Sequence, residues 1–172
     1  RANILSYRTQ YINGGGVKTS GVDFQANLDV GEVLGGVFTA GFDGTYLLKF
    51  DEEPYMIEGF PSNAAGVQER AGTYRASLFT GYNKLRANGY LNWSSGIHNL
   101  RWQTRFISST TQVETNSIAL AAALKKPIKI SEYWQHDLTY RVELPWETTA
   151  TLTVQNIFDE DPPFAIGTQY NY

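Results

Sequence analysis

Across residues 134–146, Trp134, His136, Leu138, Tyr140, Val142, Leu144 and Trp146 alternate with Gln135, Asp137, Thr139, Arg141, Glu143 and Pro145. Successive side chains of a strand point to opposite faces, so this pattern predicts one extended ribbon with an apolar side and a polar side. Its length sets it apart. An ordinary strand has about 5 to 6 residues, whereas a tilted strand that crosses a bilayer needs roughly 9 to 11.

The same period predicts further strands along most of the chain. Leu5, Tyr7, Thr9 and Tyr11 oppose Ser6, Arg8 and Gln10, and Val22, Phe24, Ala26, Leu28 and Val30 oppose Asp23, Gln25, Asn27 and Asp29. Phe38, Ala40, Phe42, Tyr46 and Leu48 oppose Thr39, Gly41, Asp43, Thr45 and Lys49, with Val37 and Leu47 as exceptions. Leu85, Ala87, Gly89, Leu91 and Trp93 oppose Arg86, Asn88, Asn92 and Ser94, with Tyr90 off pattern. Leu100, Trp102, Thr104 and Phe106 oppose Asn99, Arg101, Gln103 and Arg105, and Ala150, Leu152, Val154 and Phe158 alternate with Thr149, Thr151, Thr153 and Gln155. The expectation is an all-β chain of about seven antiparallel strands with no helix.

Connection lengths bear on which all-β architecture this is. Short links are expected at residues 31–36, at 95–98 and beside Glu147, and they alternate with long ones at 51–83, 109–132 and 159 onward; only the glycine turn at residues 13–16 breaks the run of long links. Outer-membrane barrels have short turns at one end and long loops at the other. Phe38, Trp93, Trp102, Trp134, Trp146 and Phe158 fall near expected strand ends, where aromatic belts meet the lipid–water interfaces. The alternative, that they fill the core of a sandwich, is the weaker reading. Arg101, Arg105, Asp137, Arg141 and Glu143 on the opposite face favour a wet lumen.

Composition narrows the chemistry. With 16 Gly, 11 Tyr, 9 Phe and 4 Trp, the chain suits turns and strand faces better than helices. A mean hydropathy of -0.33 averages two unlike faces and so hides any lipid exposure. No run approaches the roughly 18 apolar residues of a membrane helix, which leaves only strands to cross a bilayer. The absence of cysteine removes disulfides and thiolate chemistry. A net charge of -3 without a basic stripe argues against nucleic acid, and the only adjacent basic pair, Lys125 and Lys126, reads as solvated loop.

No catalytic constellation is evident. His98 and His136 are the only histidines, one in an expected turn and the other on an apolar face. No nucleophile elbow occurs, and no helix is expected after Gly14, Gly15 and Gly16 to make a phosphate cradle. Asp159, Glu160 and Asp161 lack the spaced oxygens and central glycine of a calcium loop. The expectation is a chain that is not an enzyme and holds neither metal nor cofactor.

The stretch Leu152-Thr153-Val154-Gln155-Asn156-Ile157-Phe158-Asp159-Glu160-Asp161-Pro162-Pro163-Phe164 resembles the penultimate-strand signature of TonB-dependent outer-membrane receptors, in which an Asn-Leu/Ile-Phe-Asp run precedes Asp-Pro-Pro. Three more stretches are similar to that family in the expected order: Val17-Lys18-Thr19-Ser20-Gly21-Val22-Asp23, Leu85-Arg86-Ala87-Asn88, and His98-Asn99-Leu100-Arg101-Trp102 running into Arg105-Phe106-Ile107-Ser108-Ser109. The resemblance gives Asn156, Phe158, Asp159, Asp161, Pro162, Pro163 and Phe164 a structural part. Independently of it, Pro162 and Pro163 cannot donate to a ladder and are expected to stop a strand that reaches Phe158.

Members of that family enclose an N-terminal plug in a 22-stranded barrel. At about 4.8 Å per strand, seven strands make roughly 34 Å of sheet, too little to close so wide a cylinder. Residues 1–172 are therefore expected to be a C-terminal part of the barrel, without plug, TonB-contacting box or closing strand. The resemblance implies energised uptake of an iron-siderophore, cobalamin or glycan across the bacterial outer membrane, with lipid, TonB and the ligand as partners. Loop 51–83 carries Tyr55, Phe60, Tyr74, Phe79 and Tyr82 and is the expected place of ligand contact, with Arg101, Arg105 and Arg141 guiding an anion along the wall. Two alternatives stay open. One is a self-contained eight-stranded outer-membrane barrel with a structural or adhesive role; the other is a soluble carbohydrate-binding sandwich whose apolar rows lie between two sheets.

Overall fold

The computed structural model describes residues 14–57, 59–62, 66–78 and 80–167; the strand expected at residues 5–11 lies outside them. Six long strands form one antiparallel sheet: β1 (Val17–Val33), β2 (Gly36–Glu52), β3 (Leu85–Ser95), β4 (His98–Ile107), β5 (Tyr133–Leu144) and β6 (Thr148–Val154). Neighbours in space are neighbours in sequence, so the sheet is a meander, with the short strand Gln68–Glu69 added beside β2. It is open. Among the described residues, β1 and β6 each pair on one side only.

The turns are tighter than the sequence suggests. Val33 pairs directly with Gly36, so the link expected at 31–36 shrinks to Leu34 and Gly35. Their φ angles of 52° and 70° match the primed turn whose twist suits a two-residue hairpin. Gly96, at φ 55°, opens the equally short link to β4. At the same end of the sheet Leu144 pairs with Thr148, which places Trp146 in the turn at φ 61° and 91% exposed, not on the strand as its alternation predicts.

Register sorts the side chains. Leu28, Ala40, Leu91, Trp102, Leu138 and Val154 are directly paired across all six strands and so share a face. Phe38, Trp93, Leu100, Tyr140 and Leu152 make the next row. On the reverse, Asp29, Thr39, Asn92, Arg101, Thr139 and Thr153 make one row, and Gln25, Asp43, Asn88, Arg105 and Gln135 make another. Tyr90, off pattern in the sequence, belongs to this polar face. Its hydroxyl donates to Asn27 Oδ1 at 3.0 Å, and Arg101 lies 4.2 Å above its ring. Gly41 provides the room, since a Cβ there would stand 2.5 Å from the Tyr90 ring.

The apolar face is uncovered. Leu28, Phe42, Leu91 and Leu152 are each more than half exposed, and between the row of Val22 and Tyr46 and that of Val33 and Gly36 no row on this face contains Asp, Glu, Lys or Arg. The buried hydrophobic residues among those described are Ala71, Ala76, Ala121, Ile130 and Ile166, and none belongs to the six strands. They gather in a cap built from the long connections. Its sheet runs Lys129–Ile130, Thr110–Gln112, Thr73–Arg75 and Thr80–Gly81. Contrary to the all-strand expectation, the cap contains helix α1 (Thr115–Leu124), which turns its Ser117 and Ala121 inward. No helix among the described residues is long and apolar enough to cross a membrane.

The Asp-Pro-Pro stretch also differs from expectation. The last strand ends at Val154, well before Pro162, because Asn156 takes φ 50° and leaves the ladder. Asn156 then holds the turn: its Nδ2 donates to Glu160 O at 3.1 Å, and Glu160 N–H donates back to Asn156 Oδ1 at 3.1 Å. The segment grips β5 from both faces. Asn156 N–H donates to Asp137 Oδ1 at 2.9 Å on the polar face, while the Phe158 ring lies 5.3 Å from His136 and 5.8 Å from Trp102 on the apolar face. Asn156→Ala removes both side-chain bonds and strains the positive φ, an expected loss of about 1–2 kcal/mol. Thermal melting of the folded chain should show the drop, and Asn156→Gly should recover only the backbone part.

Candidate functional site

At the cap end β1 and β2 outrun β3, whose pairing with β2 stops at Tyr46 and Leu85. The projecting ribbon is met by the loop after β2, and a cavity of about 610 Å³ opens between them. That size lies within the roughly 300–1,000 Å³ of small-molecule pockets. Its wall includes Tyr55, Ser62, Glu52, Gln68, Arg70 and Arg75.

The charges are organised around Glu52, the last residue of β2. Arg70 Nε donates to Glu52 Oε2 at 2.9 Å and Arg75 donates to the same oxygen at 3.1 Å. The Tyr82 hydroxyl reaches Glu52 Oε1 at 3.4 Å, and its ring stacks on Phe50 at 4.0 Å. Burial, followed by the neighbouring Glu52 carboxylate, raises the Tyr82 pKa above its ordinary value, so the phenol remains a proton donor. The next residue, Glu53, is paired with Lys18 at 2.5 Å. Tyr55 sits at the base of a closed loop, donating N–H to Ser62 Oγ at 3.1 Å while its carbonyl accepts from Ser62 N–H at 2.7 Å.

No family model, curated protein or solved structure matches the chain. Its candidate chemistry therefore rests on its own residues.

The residues singled out from sequence are dispersed. Tyr55 lines the cavity. Phe60 stands 75% exposed on the small hairpin that pairs Met56–Ile57 with Phe60–Pro61. Tyr74 is half-buried in the cap sheet beside Arg75, and burial, then Glu114, raises its pKa. Phe79 lies outside the described residues. Arg101, Arg105 and Arg141 sit on the polar face of the main sheet, each already engaged: Arg101 over Tyr90, Arg105 with Gln135 Oε1 at 3.4 Å and Asp137 at 3.8 Å, Arg141 with Glu143 at 3.6 Å. Of the motif residues, Asn156 and Phe158 make the turn contacts above, whereas Asp159, Asp161, Pro162, Pro163 and Phe164 follow them into the cap's tail. No cluster of three or more potential metal ligands occurs among the described residues.

Sequence reading missed Glu52, Arg70 and Arg75. The only hint was compositional: Arg70 and Arg75 are the only basic residues between 51 and 83, a loop that opens on the acidic run Asp51-Glu52-Glu53.

Proposed function

We propose that this chain is a stretch of outer-membrane β-barrel wall, with its ligand-facing loops, from an uptake receptor of the TonB-dependent type. The observation that carries the membrane part is the broad apolar face, without Asp, Glu, Lys or Arg over its central rows, that nothing among the described residues covers. Covering it with lipid is favourable at about 25 cal/mol per Å² of apolar surface. The β5 side chains from Trp134 to Leu144 span ten residue steps; at about 3.4 Å each and a tilt near 40° they rise roughly 26 Å, matching the apolar band of about 25 Å on such barrels. The reverse face, a near-continuous polar layer with its own hydrogen bonds, suits a wet lumen.

Two further observations support a larger barrel over the alternatives. Among the described residues the apolar rows are not packed beneath a second sheet, as a soluble sandwich requires. The edges of β1 and β6, which pair with no further strand among the described residues, would find partners in a wider cylinder. The receptor type rests on the resemblance carried by residues 152–164 and the three stretches before it. TonB would supply the energy for uptake, and the cap cavity would receive the ligand from outside.

The chain is expected to fold only in detergent or lipid, giving a β-rich species whose electrophoretic mobility changes on heating. Recovery of a folded, monodisperse monomer from detergent-free buffer, judged by light scattering and circular dichroism, would overturn this reading.

A further inference from the structure

We infer that the cap cavity is an oxyanion site in which Arg70 and Arg75 receive a carboxylate or phosphate group of the ligand, with Glu52 as the internal counter-ion that the ligand partly replaces. The inference deepens the receptor reading by naming a ligand class, and it rests on that reading for the side from which the ligand arrives.

Charge and donor counts lead to the anion. Two guanidinium groups share a single carboxylate oxygen, Glu52 Oε2, so the trio carries one uncompensated positive charge. The other lining carboxylate, Glu53, is met by Lys18. Asp51 lies outside the lining and is buried against Lys49 at 2.8 Å. Each guanidinium offers five N–H donors in a planar fork, and among the described residues the shared oxygen occupies one donor on each. The Arg70 side chain is only 12% exposed, and shielding from water strengthens its pull on an incoming anion. Ser62 and Gln68 add neutral hydrogen-bonding groups around the cavity, and Tyr55 adds an aromatic surface for the body of a small organic acid.

Glu52 gives the proposal a sign. A ligand oxyanion must compete with it, so neutralising Glu52 should tighten anion binding while removing either arginine should weaken it. A purely structural ion cluster predicts the opposite for Glu52, because its loss would only loosen the cap.

The test is calorimetric titration of the full chain, folded in detergent micelles, with citrate and inorganic phosphate as probes and choline as the cationic control. Citrate binding, falling with added KCl, and no choline binding are expected. Arg75→Gln should weaken citrate at least tenfold and Glu52→Gln should tighten it about fivefold, both on the scale of one partly screened charge pair. Arg75→Lys, which keeps the charge and loses the fork, should fall between wild type and Arg75→Gln. Circular dichroism and heat-modifiable mobility identify variants that fold. Should Arg70→Gln or Arg75→Gln fail to fold, the sign at Glu52→Gln and the loss at Arg75→Lys decide. Absence of citrate binding in the folded chain, unchanged binding in Arg75→Gln, or no tightening in folded Glu52→Gln overturns the oxyanion site and leaves the membrane reading standing. Citrate binding by a folded monomer without detergent does the reverse.

Discussion

Leu91→Arg is expected to abolish productive folding into lipid, whereas Thr39→Arg, one strand away on the opposite face, is expected to leave it intact. Leu91 occupies the central row of the apolar face, between Ala40 and Trp102, and is 52% exposed. In the proposed membrane it meets hydrocarbon, and an arginine at the midplane of a barrel costs about 2–4 kcal/mol. That is a large share of a stability of about 5–15 kcal/mol. Thr39 shares its row with Asp29 and Asn92, so an arginine there stays wet and gains a carboxylate neighbour. Refolding into phosphatidylcholine vesicles, followed by the heat-modifiable band, reads the difference directly. Equal yields from the two variants would contradict the assignment of faces; a soluble sandwich with Leu91 in its core would lose both its fold and its detergent-independent solubility.

How far the sequence discloses this arrangement depends on the range over which each feature is specified. The faces of β5 were readable because a period of two survives whichever neighbours a strand acquires; His136, Leu138 and Tyr140 do fall on one side and Asp137, Thr139 and Arg141 on the other. Gly41 and Tyr90 were separately visible, one on pattern and one off it, but their relation was not. Only the register that places them opposite each other shows the glycine making space for the ring. The turn at Leu34 and Gly35 was overestimated because leucine seldom adopts a positive φ, so nothing marked it as a turn residue.

Helix α1 was missed for a related reason. Its sequence, TNSIALAAAL, is rich in alanine, the strongest helix former, but lacks the segregated apolar and polar faces that usually announce a helix. Its boundaries are equally quiet. Glu114 makes no side-chain capping bond, and the left-handed residue at the end is Lys125 instead of glycine. The cap cavity was less legible still: Glu52 and Arg70 are 18 residues apart, and their meeting depends on β2 outrunning β3 so that the loop folds back on exposed ribbon. Long-range closure of this kind leaves no local pattern. The Asn156 turn lies between these extremes. The residue stood out within its motif, but its left-handed φ and its grip on Glu160 were needed to explain why the strand stops at Val154 and not nearer the prolines.

Gln112→Ala is expected to release the tail of the cap while leaving the six-stranded sheet in place. Gln112 is 2% exposed and Ile166 is 1% exposed, and the two clasp reciprocally: Gln112 Nε2 donates to Ile166 O at 2.5 Å, and Ile166 N–H donates to Gln112 Oε1 at 3.1 Å. Truncation leaves both a backbone N–H and a carbonyl without partners in a closed space, a penalty of about 1–3 kcal/mol for each group left unsatisfied. Ile166 is itself one of the cap's few buried hydrophobic residues, so water admitted to the clasp would also reach its side chain. A net loss of about 3 kcal/mol corresponds to roughly a hundredfold faster exchange of the Ile166 amide hydrogen. Gln112→Glu is the discriminating control: its carboxylate still accepts from Ile166 N–H but cannot donate to the carbonyl, and it brings a charge into the core, so exchange should be at least as fast. β4 and β5 should remain protected in both variants, because their ladder makes no use of Gln112. If protection is lost equally in the sheet and at Ile166, cap and wall unfold as one unit and the tail is not an independently released strap.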